Sequence, residues 1–572
     1  MPLSRLLPAP QQVQVQETAF TTDALSRFIC STWEEATGNG GPPFSVVIVG
    51  AGAYGAYLAA KVFRRRPNKR ILLLDAGSLL VSEHVQNLGR LGFDPPAPIP
   101  PASDPGVARS IVWGLPWRGN VDFPGLAYCA GGKSIYWGGW SPRLTSQDLM
   151  QWPTSVAAYL DANYSDVESE SGVVPATDFI FGELHDELFP RVVAATPGVP
   201  NIETAIGDSG VEIAPLAVQG SPPMSGLFSF DKFSSLPVLI DAIREDAMNS
   251  GTNDANRRLF FVPRAHVTRL HASSGNVQAV EVDVAGQRQF LSVAPNCAVI
   301  LAASGVESTR LALNSFPAAL MGRNLMAHLR SDFTVRIRRS ALRQLPGHVQ
   351  TAAMLVRGAA SSGRFHLQVT ASTSRSGSDD LLFRMIPDID QLNQHLANTD
   401  LDWISLTFRG IAEMRGDKAS PTPNSGGNWI NLSPWENDEF GVPRAYVQIQ
   451  TASSDIQTWQ AMDQAAVSLA QAIAGSPTQI QYHYDGSWQT LPFPLSRPFP
   501  EWHRGLGTTY HESGTLWMGD DPVTSVTDTS GRFHHIQNAY ACDQSVFPTV
   551  GSVNPVLTGL TLAKRLAEHL PS

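Results

Sequence analysis

A strand-turn-helix-strand pattern near residue 50 constrains the fold more than any other part of the sequence. The apolar run FSVVIVG leads to glycines at Gly50, Gly52 and Gly55 and to a small-residue helix that Pro67 ends, and RILLLDAG then forms a second buried strand up to Asp75. Gly50 permits a tight turn, Gly52 allows backbone to approach a pyrophosphate, and Gly55 lets the helix lie close to the strand. The helix start offers free N–H groups to phosphates, and Asp75 can bind ribose hydroxyls. The pattern predicts a dinucleotide-binding domain, for which FAD and NAD are both candidates.

The composition is that of a large globular protein and argues against several other classes. The chain has 572 residues, of which 43% are hydrophobic and 16% charged, so we expect two to four domains or one composite fold. A formal net charge of −10 argues against nucleic acid as a partner, because phosphate binding needs a concentrated basic surface. Four scattered cysteines without a CxxC pair argue against a disulfide framework and against a cysteine-bound metal.

The N-terminal segment carries no recognisable chemistry. The lead MPLSRLLPAPQQVQVQ has no apolar core long enough for a signal peptide, and no run in the sequence is fit to span a bilayer. We therefore expect a cytoplasmic protein without a membrane partner. Residues 1–43 are interpreted as an arm on the main body, with an amphipathic helix near 24–35.

Further strand and helix patterns follow. Residues 259–286 are predicted to form the strands of a meander with its turn at SSGN, and 297–315 again give a buried strand, a Gly/Ser turn and a helix. Between about 331 and 500 the runs FTVRIRR, WINLSP and AYVQIQT predict strands, and 458–474 predicts a helix. The nucleotide domain is thus expected to resume after one insertion and to be interrupted by a second, β-rich one.

Two glycine pairs close to tryptophans mark the segment LAYCAGGKSIYWGGWSPRL. Gly131 and Gly132 precede Ser134, and a second pair follows Trp137. Such glycines let backbone pass tightly along a flat ligand, and Ser134 is expected to cap the following turn. A hairpin with exposed tryptophans is the alternative.

The C-terminal stretch that starts at Tyr510 contains two candidate catalytic side chains. His511 suits a general base because its usual pKa leaves it largely neutral at working pH, and the Asn554 amide can hold a substrate oxygen. Pro555 is predicted as the first residue of the final helix, whose N-terminus carries partial positive charge. The alternatives are a core histidine and an asparagine that only caps the helix. Glu512 is expected on the solvated surface, with pairing to a neighbouring residue as the alternative.

Taken in order, these motifs resemble the glucose-methanol-choline (GMC) oxidoreductase family. The resemblance extends through GRNLMAHL, NWINLSP, the HxxGT motif at His511 and the NP pair at Asn554. It implies FAD as the dinucleotide, with His511 and Asn554 at the catalytic positions. The His/Asn pair and the GGxSxxW shape are more similar to the pyranose-oxidase and cholesterol-oxidase branches. The cofactor-binding positions that the resemblance implies are Gly50, Gly52, Ala53, Tyr54, Gly55, Asp75, Ala76, Gly131, Gly132, Ser134, Val267, Ala303, Gly305, Asp543, Asn554, Pro555 and Val556.

The resemblance also implies an α/β fold with a Rossmann-like FAD-binding domain that is discontinuous in sequence. We assign 44–150, 255–330 and 505–572 to this domain, and 151–254 and 331–504 to lid segments and an inserted α+β substrate-binding domain built on an antiparallel sheet. Pyranose oxidases attach FAD through a histidine at the position that Tyr136 occupies here. We therefore expect non-covalent FAD, and no metal.

The expected function is the oxidation of an alcohol to a carbonyl, with a sugar or glycoside hydroxyl as one candidate substrate. A base would remove the hydroxyl proton while flavin N5 accepts a hydride. The expected partners are a small-molecule alcohol and either oxygen or another electron acceptor; the oligomeric state is open. Two alternatives remain at this stage: a flavin-dependent lyase, decarboxylase or tailoring enzyme of secondary metabolism, and a non-catalytic flavin-binding or electron-relay protein.

Overall fold

A computed structural model describes most of the chain. The described residues are 28–84, 113–114, 117–120, 126–173, 182–219, 231–251, 253–284, 286–343, 345, 350–373, 394–419, 427–438 and 440–571. The helices in chain order are α1 (Trp33–Thr37), α2 (Ala53–Arg65), α3 (Thr154–Ser171), α4 (Glu183–Ala195), α5 (Ser235–Ser250), α6 (Gly305–Ser315), α7 (Ser453–Ala474) and α8 (Val556–His569).

The strands in chain order are β1 (Val46–Val49), β2 (Ile71–Leu74), β3 (Trp113–Gly114), β4 (Trp117–Gly119), β5 (Leu126–Ala127), β6 (Val211–Ile213), β7 (Val218–Gln219), β8 (Asp231–Lys232), β9 (Leu259–Val262), β10 (Ala265–Ser273), β11 (Asn276–Val284), β12 (Gln287–Ser292), β13 (Ala298–Leu301), β14 (His328–Arg338), β15 (Thr351–Ala360), β16 (Gly363–Ser372), β17 (Trp403–Glu413), β18 (Trp429–Asn437), β19 (Pro443–Gln448), β20 (Ile480–Tyr484), β21 (Ser487–Gln489), β22 (His503–Arg504) and β23 (Ala539–Ala541).

Five short parallel strands form the sheet that carries the predicted dinucleotide site. Their order is β23–β13–β1–β2–β9, and β1, β2, β9 and β13 are buried at every position. Strands buried on both faces have continuous apolar sequences, which is why the sequence pattern located β1, β2 and β13. Since α2 follows β1 and α6 follows β13, both helices begin at the carboxyl edge of the sheet. The predicted Rossmann-like domain is confirmed.

The meander predicted over 259–286 is correct only from β10 onward. β9 pairs in parallel with β2, with Leu259 opposite Ile71, and is therefore a strand of the parallel sheet. β10, β11 and β12 form the antiparallel meander, and its first turn lies at Ser274 and Gly275, as predicted. From the sequence, a strand of the meander could not be distinguished from a strand of the parallel sheet, because the partner of β9 lies almost 200 residues earlier.

An antiparallel sheet of eight strands forms the second layer. Its order is β21–β20–β14–β17–β16–β15–β6, with β22 also paired to β14. Side chains alternate between the two faces of a strand. Leu329 and Phe333 of β14 therefore pack with Met462 of α7, whereas His328 and Arg330 lie on the opposite face. The predicted α+β domain on an antiparallel sheet is confirmed, with one polar face turned away from α7.

Two local predictions need correction. The runs WINLSP and AYVQIQT do form strands, β18 and β19, but these pair with β4 in a separate three-stranded sheet. The helix predicted near 24–35 lies partly outside the described residues; within them, Phe28 and Ile29 are helical, residues 30–32 interrupt the helix, and α1 begins at Trp33. A reciprocal cap sets this start, because the Thr32 hydroxyl accepts from the Glu35 N–H while the Glu35 carboxylate accepts from the Thr32 N–H.

A fully buried cation joins α6 to the β18–β19 sheet. The Arg310 side chain has no exposed surface and donates to the carboxylates of Glu307 and Asp438 and to the Pro443 carbonyl, the last at 2.9 Å. Glu307 lies one turn earlier on α6, whereas Asp438 directly follows β18 and Pro443 begins β19. A buried charge is tolerated only with such partners, so the ion cluster holds the two elements in register.

Helices from the segment predicted as lid and substrate domain pack against the first layer. Leu160 and Tyr164 of α3 and Leu239 of α5 lie in the same apolar cluster as the parallel sheet, and the Tyr164 hydroxyl is 2.9 Å from that of Thr558 in α8. The domain boundaries themselves stay a prediction. None of the helices in the described ranges is both long and apolar enough to cross a membrane.

Candidate active site

The first glycine turn leaves open space in front of α2. Gly50 has a φ of +101°, and a Cβ added there would lie 2.5 Å from the Ala302 carbonyl oxygen; a Cβ on Gly55 would lie 1.8 Å from the Gly50 oxygen. Gly52 differs, because a Cβ there would meet nothing within 4 Å. No side chain caps the helix at Gly52, so the N–H groups of the first turn, which begins at Ala53, are available to a ligand.

Asp75 ties the glycine turn to the end of β2. Its carboxylate accepts from the Ala51 N–H at 2.7 Å and from the Gly77 N–H at 2.8 Å, and burial raises its pKa to about 7. An ionised carboxylate can accept about four hydrogen bonds, so two acceptor positions remain. Ala76 follows, half-buried. Val267 is buried on β10, two residues after Ala265, whose N–H donates to the Asp75 carbonyl.

The second glycine segment lies directly on the first turn. Gly131 and Gly132 have φ of +81° and +51°, and a Cβ on Gly132 would lie 3.0 Å from the Gly52 Cα. Residues Gly132–Ile135 form one turn of 3₁₀ helix. The expectation for Ser134 is wrong: its hydroxyl donates back to the Gly131 carbonyl at 2.6 Å rather than capping the next turn.

A third turn, between β13 and α6, brings the remaining implied cofactor positions to the same edge of the parallel sheet. The Ala303 N–H donates to the Ser308 hydroxyl at 3.0 Å, and that hydroxyl donates to the Asp543 carboxylate. Tyr54, in the first turn of α2, donates to the Gln544 side-chain oxygen at 3.3 Å. Gly305 begins α6 and packs on the chain just after His511, because a Cβ there would lie 2.5 Å from the Glu512 carbonyl oxygen.

Glu512 is buried, which corrects the expectation of a solvated side chain. It is 2% exposed, and neither carboxylate oxygen has a hydrogen-bond partner among the described residues. The Lys133 ammonium is 3.9 Å away and also lies over the Tyr510 ring. Burial raises the pKa of Glu512, and Lys133 and the residue's own backbone N–H oppose that shift. A buried carboxylate without a hydrogen-bond donor from another residue indicates that a hydrogen-bonding ligand belongs beside it.

These observations fit a dinucleotide cofactor. The three turns meet at one sheet edge, the space in front of Gly52 is open, the first N–H groups of α2 are uncapped, and Glu512 offers vacant acceptors. The described residues thus supply donors suited to phosphates and acceptors suited to hydroxyl or imide N–H groups.

A cluster of imidazoles and amides lies at the same edge and contains both predicted catalytic residues. His511 and His328 are 8% and 1% exposed, and their Nδ1 atoms are 2.8 Å apart with the rings nearly perpendicular. His328 comes from the polar face of β14, and His366 from that of β16. Asn554 lies in the loop before α8 and joins the cluster through the side chain of Gln368.

All three histidines of this cluster are neutral near pH 7. Burial lowers the pKa of His511 well below its usual value, and the neighbouring His328 and His366 rings lower it further. Burial also lowers the pKa of His328 to about 4 and that of His366 to about 3. Each ring therefore carries one N–H and one lone pair.

Backbone carbonyls fix which nitrogen carries the proton. His328 Nε2 lies 3.0 Å from the Gly551 oxygen, and a carbonyl can only accept, so the proton of His328 is on Nε2. His328 Nδ1 is then an acceptor, and His511 must donate to it from Nδ1. The lone pair of His511 is thereby placed on Nε2, and no described residue is hydrogen-bonded to that atom.

The same reasoning orients the Asn554 amide. His366 Nδ1 donates to the Ser552 carbonyl, so His366 Nε2 accepts from Gln368 Nε2 at 3.1 Å. Gln368 Nε2 also donates to Asn554 Oδ1 at 3.0 Å. The Asn554 N–H groups are left without a partner among the described residues. The site therefore presents a lone pair on His511 Nε2 and free donors on Asn554.

The predicted role of Pro555 needs correction. Helix α8 begins at Val556, and Pro555 is the residue that precedes it, with φ −81° and ψ −12°. No side chain caps α8. Asn554 is therefore not the helix cap that the sequence left as an alternative, because its oxygen is used by Gln368.

Sequence reasoning missed His328, His366 and Gln368. His328 stands in GRNLMAHL, which contributed only to the family resemblance. His366 and Gln368 belong to a row of polar residues that alternates with apolar ones along β16, and this spacing places them on one face. Polar residues with period two inside a buried strand were the available signal, but the strand itself was not predicted.

The comparisons with known proteins agree with this arrangement. Residues 423–563 match the protein-family model described as GMC oxidoreductase. This part of the chain is similar to GMC oxidoreductases. The matched region contains both His511 and Asn554, and the predicted family resemblance is confirmed.

Solved structures extend the likeness to the whole fold. Pyridoxine 4-oxidase from Mesorbium loti has a TM-score of 0.55 and 17% identity, with 92% of this chain and 98% of that chain covered. A formate oxidase from Aspergillus oryzae RIB40, solved to examine the effect of a mutation on FAD modification, has a TM-score of 0.58 and 16% identity, with the same coverage. At these identities the likeness establishes the fold alone, which this chain shares with both oxidases.

A curated relative matches over a short stretch. Paromamine 6'-oxidase of Streptomyces fradiae is 44% identical over 66 residues. The match spans 11% of this chain and 12% of that protein.

We predict that Gly52→Ala weakens cofactor binding without disturbing the fold. The new methyl group meets no protein atom, but it occupies the space in front of α2. The variant should purify with less flavin absorbance near 450 nm per protein than the parent, while the melting temperatures of the two apoproteins agree. Gly198→Ala is the matched control, because a Cβ there also meets nothing within 4 Å but lies in another part of the chain. Equal flavin content in all three proteins would contradict the assignment.

Proposed function

We propose that the protein is an FAD-dependent oxidoreductase that converts an alcohol to a carbonyl. The observation that carries this proposal is the pair of unengaged groups at the site: the lone pair on His511 Nε2 and the N–H groups of Asn554. A hydroxyl group is both an acid and an acceptor, so it can give its proton to one and accept a hydrogen bond from the other. The family match over 423–563 includes both residues.

The chain's own residues have distinct tasks in this reaction. His511 removes the hydroxyl proton through Nε2, and Asn554 holds the developing alkoxide oxygen. His328 acts as a positioning residue that keeps the His511 proton on Nδ1. The glycine turns at Gly52 and Gly132, the start of α2 and Asp75 hold the cofactor. FAD, when bound, accepts the hydride that leaves the carbinol carbon.

The final helix adds an electrostatic contribution. The N-terminus of α8 carries partial positive charge and begins two residues after Asn554. It therefore stabilises negative charge that develops beside Asn554, and burial of the cluster strengthens this effect by excluding water.

We propose a sugar or glycoside hydroxyl as the substrate. The support is the polar sheet face above the cluster and the short match to a protein named for oxidation of paromamine. Because the relatives are named oxidases, we propose oxygen as the electron acceptor. Cytoplasmic location and the branch resemblance stay predictions. A lyase or an electron-relay protein would need neither the neutral histidine nor the oriented amide.

An anaerobic screen tests the proposed function. Alcohols and sugars should bleach the flavin absorbance of the parent protein, and admitting oxygen should restore it if the protein is an oxidase. His511→Ala should keep its flavin but be reduced roughly 10²–10⁴-fold more slowly, the usual contribution of a general base. Undiminished reduction in this variant would remove His511 from its role, and reduction by no alcohol would refute the proposed function.

The role of His328 is tested by two replacements. Gln can still accept from His511 Nδ1, whereas Leu cannot, so we expect His328→Leu to lower kcat/KM about 10–100-fold and His328→Gln to recover part of the loss. The His511 base must be unprotonated, so kcat/KM falls as pH drops through its pKa. Since the His328 ring helps to lower that pKa, the acid limb of the pH profile of kcat/KM should move to higher pH in both variants. Equal activity of the Leu and Gln variants, together with an acid limb at the pH of the parent, would exclude the positioning role.

We also propose that the cofactor is held without a covalent bond, since Tyr136 stands where the covalent enzymes have histidine. Precipitation of the yellow protein with acid should release the flavin into the supernatant, because no linkage survives loss of the fold. Flavin that stays with the pellet would contradict the proposal. A histidine-linked flavoprotein treated in parallel is the control.

A further inference from the structure

One buried acceptor in the cluster has no role in the mechanism above. Gln368 is 1% exposed, and both hydrogens of its Nε2 are used, one by His366 Nε2 and one by Asn554 Oδ1. Its Oε1 is also buried but has no hydrogen-bond partner. A buried acceptor without a donor is destabilising, so its retention beside the reacting groups points to a donor that arrives with a ligand.

The orientation of this amide is fixed by its neighbours. Rotating the Gln368 amide by 180° would place its oxygen against the lone pair of His366 Nε2 and against Asn554 Oδ1, both acceptors. His366 cannot change roles, because its Nδ1–H is used by the Ser552 carbonyl. The free atom of Gln368 is therefore an acceptor, and the free atoms of Asn554 are donors.

The two amides present complementary groups side by side. The Asn554 N–H groups suit the oxygen of the hydroxyl that is oxidised, and Gln368 Oε1 suits a neighbouring group that donates. Hydroxyl and ammonium groups are the two donors available on small alcohols. Arg409 lies opposite Gln368 in the next strand, and Arg330 is close enough to lower the pKa of His511. Asp332 pairs with both guanidinium groups and offsets one of the two charges, so the positive charge that remains on this sheet face disfavours an ammonium and favours a hydroxyl.

We propose that Gln368 is a specificity-determining residue whose Oε1 accepts a hydrogen bond from a hydroxyl on the carbon next to the one that is oxidised. The preferred substrates are then vicinal diols, as found in sugars. The inference rests on the proposed alcohol oxidation and narrows its substrate class. A site built around such an acceptor rejects analogues that lack the donor, because the acceptor is then left unpaired.

Matched small alcohols test the inference on the FAD-loaded protein. The probes are propane-1,2-diol, propan-1-ol and 2-methoxypropan-1-ol; the last keeps the second oxygen but cannot donate. We expect kcat/KM for the diol to exceed that for the other two by roughly 10–100-fold. 2-Aminopropan-1-ol, which carries an ammonium, should rank below the diol. If none of the probes bleaches the flavin, the comparison is made with the best alcohol of the screen and its O-methyl derivative.

Variants then assign the preference to one side chain. Gln368→Leu should be slower with every probe, since Asn554 loses its support, and the preference for the diol should fall to about one. Thr370→Val is the matched control: Thr370 is the next residue on the same face of β16, and its hydroxyl is near Thr407 and His395 instead. This control should keep the preference.

The outcomes separate the two proposals. Equal kcat/KM values for the diol, propanol and the methoxy alcohol in the parent protein would overturn the inference while alcohol oxidation stands. An unchanged preference for the diol in Gln368→Leu would do the same. Because the parent comparison needs no variant, poor folding of Gln368→Leu would not prevent a decision. Failure of every alcohol to reduce the flavin would overturn the proposed function and this inference together.

Discussion

Two successive backbone carbonyls organise the candidate site. Gly551 and Ser552 each accept a hydrogen bond from an imidazole on the large sheet, Gly551 from His328 and Ser552 from His366. A carbonyl cannot donate, so these two contacts determine the position of every other proton in the cluster. The loop before α8 thus sets both the lone pair on His511 and the orientation of Asn554, although it touches His511 only through His328.

This arrangement depends on keeping charge out of the cluster. If His328 or His366 were protonated, its second N–H would face a group that already donates. Burial prevents this by holding the pKa of each ring well below its usual value. The cost is stability at low pH: the unfolded chain binds protons below about pH 6.5 that the folded chain does not, so stability falls as pH drops from there. The site trades acid stability for one defined set of hydrogen bonds.

Features set by neighbouring residues could be predicted from sequence, and features set by distant partners could not. Short local motifs in the sequence pointed to the β1–α2–β2 unit, to α6, and to His511 and Asn554 as candidate residues. The contributions of His328 and Gln368 depend on strand register between β14, β17 and β16, which no local signal reveals. The predictions that Glu512 is solvated and that β9 belongs to the meander were wrong for the same reason, because the elements that cover these residues lie far away in the chain.

The ion cluster of Arg310 has a consequence for how a substrate reaches the site. Moving α6 away from the β18–β19 sheet would part the guanidinium from Asp438, and breaking a buried pair of this kind costs about 3–5 kcal/mol. Hinge opening along this seam is thereby suppressed. A substrate must then be admitted by smaller movements elsewhere in the chain, while the contact between α6 and this sheet stays fixed.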